Sequence, residues 1–330
     1  MQRLNYSTDA IESLTTLAHA IKEWRPISAE TILSVTSMLA ESQKFILPPF
    51  GELLDRRRGR PELSEPTCLP FPITAFEYNV PFLRTPNELD PIEGQEQGAA
   101  TKRIALCWEM EHHPQAVVLD AVKNVFPDGG FFVASIYSSS DDRQWLLHDG
   151  AAFVPSVEAV TGKKPTIDDE ILKHFSTTRL GMYEGGSGSV ATFPFLPEFF
   201  DERVSIRGQR QSERDLYIDL ADEFNSADDA CIVLACSNAA IDTLEAPARL
   251  NLKRKKKGRL PLFEYKILAI GESGPGRDGS GGGSHASPRT HVRRAHIRRL
   301  KDKNVLVRST VVNPNAVTGV VQKDYRLLRH

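Results

Sequence analysis

The sequence predicts an α+β fold: an N-terminal helical pair, a central mixed or antiparallel sheet with helices, and a C-terminal basic β-hairpin. Three observations predict it. The first fifty residues carry apolar side chains at three- and four-residue spacing. From Ile73 onward, short apolar runs rich in β-branched and aromatic residues alternate irregularly with helical segments. The last forty-odd residues close on two β-rich runs separated by the turn-forming Asp302 to Asn304. Irregular alternation, unlike repeated βαβ units, is the mark of an α+β chain. With 40% hydrophobic residues among 330 and a mean hydropathy of -0.31, the chain has ample material for a core and reads as about two domains.

In order, Ser7 or Thr8 caps a predicted helix over residues 9–24, with Ile11, Leu14, Leu17, Ala18 and Ile21 on one stripe, stopped by Pro26. Ser28 opens a second helix to about Gln43, and Pro48-Pro49 ends it. Residues 51–72, with Arg56-Arg57-Arg58-Gly59-Arg60 and repeated prolines, read as an exposed connector. Strands follow at Ile73 to Tyr78, Arg103 to Glu109, and Phe131 to Tyr137, the last turning at Asp141-Asp142 into Gln144 to His148. Gln115 to Val125, Ser212 to Phe224 and Ala230 to Leu244 have helical spacing, and Leu260 to Ile270 reads as a strand. Seven glycines among the fourteen residues Gly271 to Ser284 indicate a linker. The chain therefore divides into a helical segment (1–50), the connector (51–72), an acidic α+β body (73–270), a Gly-rich linker (271–286) and a basic arm (287–330).

Several function classes are excluded at this level. The longest apolar run, Ala230 to Cys236, has seven residues, against about 20 for a bilayer span, so no membrane segment is expected. The start has no apolar leader stretch, which predicts a cytoplasmic protein. Cys68, Cys107, Cys231 and Cys236 include no C-x-x-C pair. There is no phosphate-binding P-loop, no H-E-x-x-H and no nucleophile elbow. Gly186 to Ala191 fits G-x-G-x-x-A, but Pro194 forbids the helix that would follow, so the segment is read as a loop and no cofactor is expected.

Charge is distributed unevenly. The chain totals 41 Lys and Arg against 43 Asp and Glu, yet residues 251–330 hold 19 basic and 5 acidic residues. A cationic module on an acidic body suits a polyanionic partner, although the two parts could also neutralise each other across an interface.

Two clusters carry candidate chemistry. Glu109, Glu111 and His112, at the end of a predicted strand, are a candidate metal or acid–base set; a polar strand end is the plainer alternative, since neighbours on an extended chain face opposite ways. The tail is the denser cluster. Arg289, Arg293, Arg294, Arg298 and Arg299 fall within eleven residues, with Arg308 following, and planar guanidinium forks suit phosphate oxygens. Lys253 and Arg254, in the run to Lys257, would add diffuse attraction or form a solvated turn. His291 and His296 could serve as base and acid in a ribonuclease, which would need a bend to bring them together, or could order the arginines by hydrogen bonding.

The run Pro288-Arg289-Thr290-His291-Val292-Arg293-Arg294-Ala295-His296, the basic turn, then Val305-Leu306-Val307-Arg308 and Val311-Val312-Asn313, resembles the tail of a type V-A anti-CRISPR family. Thr290 stands where that family has Pro, Ala295 where Gly is usual and Ile297 where Trp is common. Upstream, Cys107-Trp108, the Gly130-Phe131-Phe132 strand and Phe263-Glu264-Tyr265 match the family in arrangement. The resemblance implies a protein of phages or other mobile elements that acts in the host cytoplasm. Its implied partners are RNA or the ribosome together with a nascent host defence polypeptide, and its implied effect is reduced synthesis of that polypeptide. It assigns no catalytic residue. Together with the charge pattern, the sequence favours a non-enzymatic RNA or ribosome binder, with a ribonuclease and a nucleic-acid-binding or assembly accessory protein as the alternatives.

Overall fold

In the computed structural model, the described residues are 4–54, 67–80, 100–114, 116–126, 129–139, 144–156, 176–179, 189–270, 291–293, 296–301, 303–307 and 310–312. The connector residues 55–66, the Gly-rich linker, the Asp141-Asp142 turn and Gly186 to Gly188 lie outside them.

The helical pair forms as α1 (Tyr6–Ile21) and α2 (Pro26–Glu41), and the residues that end and begin its helices are not those expected from local capping. Ser7 and Thr8 lie inside α1, whose first amides instead meet a buried carboxylate from a distant strand. Glu77 accepts from Tyr6 N and Ser7 N (both 3.0 Å), from Ser7 Oγ (2.5 Å) and from the Tyr265 hydroxyl (2.9 and 2.8 Å). Likewise Ser28 sits within α2, and Glu198 accepts from Ile27 N and Ser28 N at 2.9 Å and from the Ser28 hydroxyl. A carboxylate at a helix N-terminus satisfies orphan amides and complements the dipole, so both caps are tertiary. At the other end of α2, the Lys44 ammonium donates to Ala40 O (2.9 Å) and Ser42 O (2.7 Å) and lies 3.9 Å from the Phe263 ring centroid. Burial pulls the Lys44 pKa down to about 8, with the Glu77 charge partly opposing it, while burial pushes Glu77 up against the hydrogen bonds that favour its anion.

The strands are β1 (Gln43–Ile46), β2 (Ile73–Asn79), β3 (Ala100–Glu109), β4 (Gly130–Ser139), β5 (Trp145–Pro155), β6 (Ser176–Arg179), β7 (Ser189–Pro194), β8 (Ala239–Leu244) and β9 (Tyr265–Ile270). Among the described residues they form one nine-stranded sheet in the order β6-β7-β5-β4-β3-β2-β1-β9-β8. β1 runs parallel to β2 and β9, and every other pair is antiparallel. The mixed sheet of an α+β fold is therefore present, but β1 begins at Gln43, where α2 was expected to end, and β7 takes in Ser189 to Ala191, the last residues of the segment read as a loop.

Alternation along the strands buries both faces. One face presents Ala75, Ile104, Leu106, Trp108, Phe132 and Phe153 to α1, α2 and α3 (Ala116–Val125). The other presents Phe45, Phe76, Ala105, Cys107, Phe131 and Val133 to Leu220, Phe224, Ala227 and Cys231. Those last four belong to α5 (Gln209–Leu234), which follows α4 (Pro197–Arg207). The helical pair thus shares its core with the sheet instead of standing apart as a separate segment.

α5 corrects a second expectation. Two helices were predicted around 212–224 and 230–244; a single helix of 26 residues spans the gap, and its continuation is the strand β8. Asn225, Ser226, Asp228 and Asp229 are poor helix formers, yet all four are fully buried. Asn225 and Ser226 donate back to Ala221 O (2.7 Å) and Asp222 O (2.6 Å), so tertiary burial overrides local preference. Gly51, at φ +66°, meets this stretch: a Cβ there would lie 2.2 Å from Ser226 Oγ.

Candidate nucleic-acid interface

The basic arm folds as the expected hairpin. β10 (His291–Arg293) pairs with β13 (Thr310–Val312), and β11 (His296–Arg299) with β12 (Asn304–Val307), both antiparallel. Partners run from His291↔Val312 to Arg293↔Thr310 and from His296↔Val307 to Arg299↔Asn304, which is one continuous register, so the two ladders extend a single hairpin. Leu300 N donates to Lys303 O at 2.8 Å and closes its turn.

Residues directly opposite each other in an antiparallel pair share a face. Ile297 and Leu306 are such a pair, and they pack against Ile232, Val233 and Cys236 at the end of α5. Two residues, Asn238 and Ser237, fix this docking through four hydrogen bonds. The Asn238 amide donates to Leu306 O and its carbonyl accepts from Leu306 N, both at 2.9 Å; Ser237 N and Oγ donate to Asn304 O at 3.0 and 3.2 Å. Asn238 thereby acts as one more rung of β-pairing. With its apolar face held, the hairpin exposes Arg298, Arg299, Lys301 and Lys303.

Of the predicted phosphate contacts, Arg298 and Arg299 are exposed neighbours at the end of β11, on opposite faces of the strand. Arg293 lies on β10, with its side chain outside the described residues; Arg289, Arg294 and Arg308 lie outside them altogether. His296, half-buried on β11, and His291, on β10, belong to different ladders, and only the backbone of His291 is described. Lys301 and Lys303 join the cationic tip although the arginine pattern did not single them out.

A second cationic element is α6 (Ala248–Lys256), and the run from Lys253, expected either to add diffuse attraction or to form a solvated turn, makes its last turn. Its basic residues crowd the last turn, where cations complement the helix dipole. It is tied down by Asn251, whose amide and carbonyl bracket the Leu262 backbone at 2.8 Å each. Arg254 departs from its expected role. Its guanidinium donates to Leu260 O (2.5 Å) and pairs with Glu12 of α1 (3.3 Å), so it anchors the helix. Lys253, Lys255, Lys256 and Lys257 stay exposed, and none forms an ion pair with a described carboxylate.

The proposed metal set does not assemble. Residues 110–112 make a 3-10 turn after β3; Glu111 and His112 are exposed and Glu109 is half-buried. Among the described residues no group of three or more His, Cys, Asp or Glu is arranged to hold a metal ion. His113 turns inward instead, its ring 4.2 Å from that of Phe132 and 5.8 Å from that of Trp108.

Another polar cluster joins β5 to the α4–α5 layer. Arg203 grips both Asp149 oxygens (2.8 and 2.7 Å) and Asp219 (3.0 Å), while His148 Nε2 meets Asp219 at 3.2 Å. His148 Nδ1 accepts from Gly150 N at 3.1 Å, so both ring nitrogens are engaged. Burial alone would raise the Asp219 pKa, but hydrogen bonds from His148 and Arg203 bring it below the ordinary aspartate value. A histidine occupied on both sides is a strut between layers. On β3, Arg103 plays a similar part toward the same helix, pairing with buried Glu223 (3.0 Å) and with Asp222 (3.3 Å) on α5.

No protein-family model, curated protein or solved structure matches this chain.

Proposed function

We propose that this chain is an anti-defence protein of a phage or other mobile element, acting in the host cytoplasm, that binds RNA or the ribosome and lowers production of a host target protein. The observation that carries the RNA-binding part is the asymmetric hairpin. Its apolar face is spent on α5, while Arg298, Lys301 and Lys303 stand exposed without a described carboxylate partner. Guanidinium and ammonium groups presented this way suit phosphate oxygens, and a rigid β-platform limits the entropy lost on binding. The effect on a host polypeptide rests on the tail's resemblance to the type V-A anti-CRISPR family. No described helix is long and apolar enough to cross a membrane, which agrees with partners in solution.

The test is fluorescence anisotropy of the full chain with labelled RNA across a salt series. About six phosphate contacts on a single strand give a log–log salt slope near -4. Replacing Arg298, Lys301 and Lys303 by Ala should flatten it by about 2, with thermal unfolding unchanged and the RNA recovered intact. Unaltered binding in that variant would remove the hairpin from the interface. Capture of acidic proteins in place of RNA, insensitive to nuclease, would overturn the nucleic-acid assignment.

A further inference from the structure

The two cationic elements sit at opposite ends of β8, one of the two edge strands of the described sheet. The hairpin is bonded to Ser237 and Asn238, at the start of β8, and packs beside Ala239. α6 leaves the other end of β8 after Leu244, and its return loop re-enters the sheet at Tyr265, the partner of Leu244. They also lie on opposite faces. α6 is tied to the α1 side through Arg254 and Glu12 and through Thr8 Oγ1, which donates to Pro261 O at 3.1 Å. The hairpin packs on α5. Between them β8 is bare: Ala240, Ile241, Asp242 and Thr243 are all exposed, Ile241 at 41%. Six residues of strand separate the elements by about 17 Å.

We infer that α6 and the β11–β12 hairpin form one site for single-stranded RNA, the strand running along exposed β8 and crossing from one sheet face to the other. This rests on the RNA-binding function proposed above. A ligand that touches both elements has to bend around the sheet edge over a short distance. Duplexes resist this; even DNA stays nearly straight over roughly 50 nm. A single strand bends freely and carries its phosphates along the whole path. From Ser237 to Ile270 there are eight Lys or Arg and three Asp or Glu, and of the acids Glu264 is paired with Lys266 at 2.8 Å. Such a strand would have to pass two exposed carboxylates, Glu245 just beyond the end of β8 and, in the middle of the path, Asp242.

That carboxylate gives the sharpest test. Unstructured RNAs of about 4 to 20 nucleotides, bracketing the usual span of single-strand grooves, are titrated against the full chain alongside an RNA duplex. Asp242→Asn should tighten the longer single strands about two- to fivefold, the effect of removing one exposed like charge, and leave the duplex unchanged. Replacing Lys253, Lys255, Lys256 and Lys257 together by Ala should lower the salt slope for long single strands by about 3, while four-nucleotide RNA, too short to span β8, should lose much less. If the α6 variant leaves the long-strand slope intact, or Asp242→Asn has no effect, the shared path is wrong while hairpin binding stands. Equal sensitivity of the duplex to both changes would overturn the single-strand assignment. If no RNA binds the unaltered chain, the underlying function fails first.

Discussion

Glu77 gathers the start of α1, the Tyr265 hydroxyl and strand β2 around one carboxylate that is fully buried. Gln would put an amide N–H where donors already point, so Glu77→Gln should cost about 1–3 kcal/mol, measured by urea unfolding near neutral pH. A change within experimental scatter would mean that α1 needs no external cap. Lys44 has a pH signature with a definite sign. Its folded pKa is about 8 against an ordinary 10.5, so between these values the unfolded chain holds the proton that the folded chain has released. Stability contributed by Lys44 therefore rises with pH across that window. Relative to Lys44→Met, the native chain should gain about 3 kcal/mol between pH 7.5 and 10.5, read from urea midpoints; a flat difference would contradict the burial argument. Neither residue was legible in the sequence, because their partners lie 70 or more positions away or on the far side of a helix turn. Asn238 was missed for the same reason, whereas Arg298 and Arg299 were legible because their density is local.

At the scale of elements, the α1–α2 pair, strands β2 to β4 and the hairpin follow the periodicity of their own residues and formed close to where it placed them, whereas β5, expected over 144–148, runs on to Pro155. α5 did not, since the buried run from Asn225 to Asp229 looks like a break until the sheet and Gly51 close over it. β1 and β8 are short strands made by pairing with β2 and β9, and their sequences carry little strand signal of their own. The hairpin's docking is separable from its formation. Leu306→Ala removes a nearly fully buried side chain and should cost about 2–4 kcal/mol of docking. Hydrogen exchange should then rise in residues 296–307 while β3 and β4 keep their protection. Uniform loss of protection would show that the hairpin and the core unfold as one unit.

Over the whole molecule, two apolar faces of one sheet take up α1, α2 and α3 on one side and α5 on the other, and the polar struts at Arg203 and Arg103 tie the α5 layer to the strands. Two cationic elements lie at the β8 edge, the hairpin of the basic arm and α6, which belongs to the stretch read as the acidic body. Which charges stay outside could not be foreseen from counting: Arg254 is consumed internally, and Lys301 and Lys303 are not. The central claim is that this edge holds RNA. It is tested most directly by ultraviolet crosslinking in cells expressing the full chain, followed by mass-spectrometric mapping of nucleotide adducts. Adducts should concentrate in residues 253–257 and 296–303. A map with no nucleotide on either segment, or with adducts confined to other parts of the chain, would contradict the account.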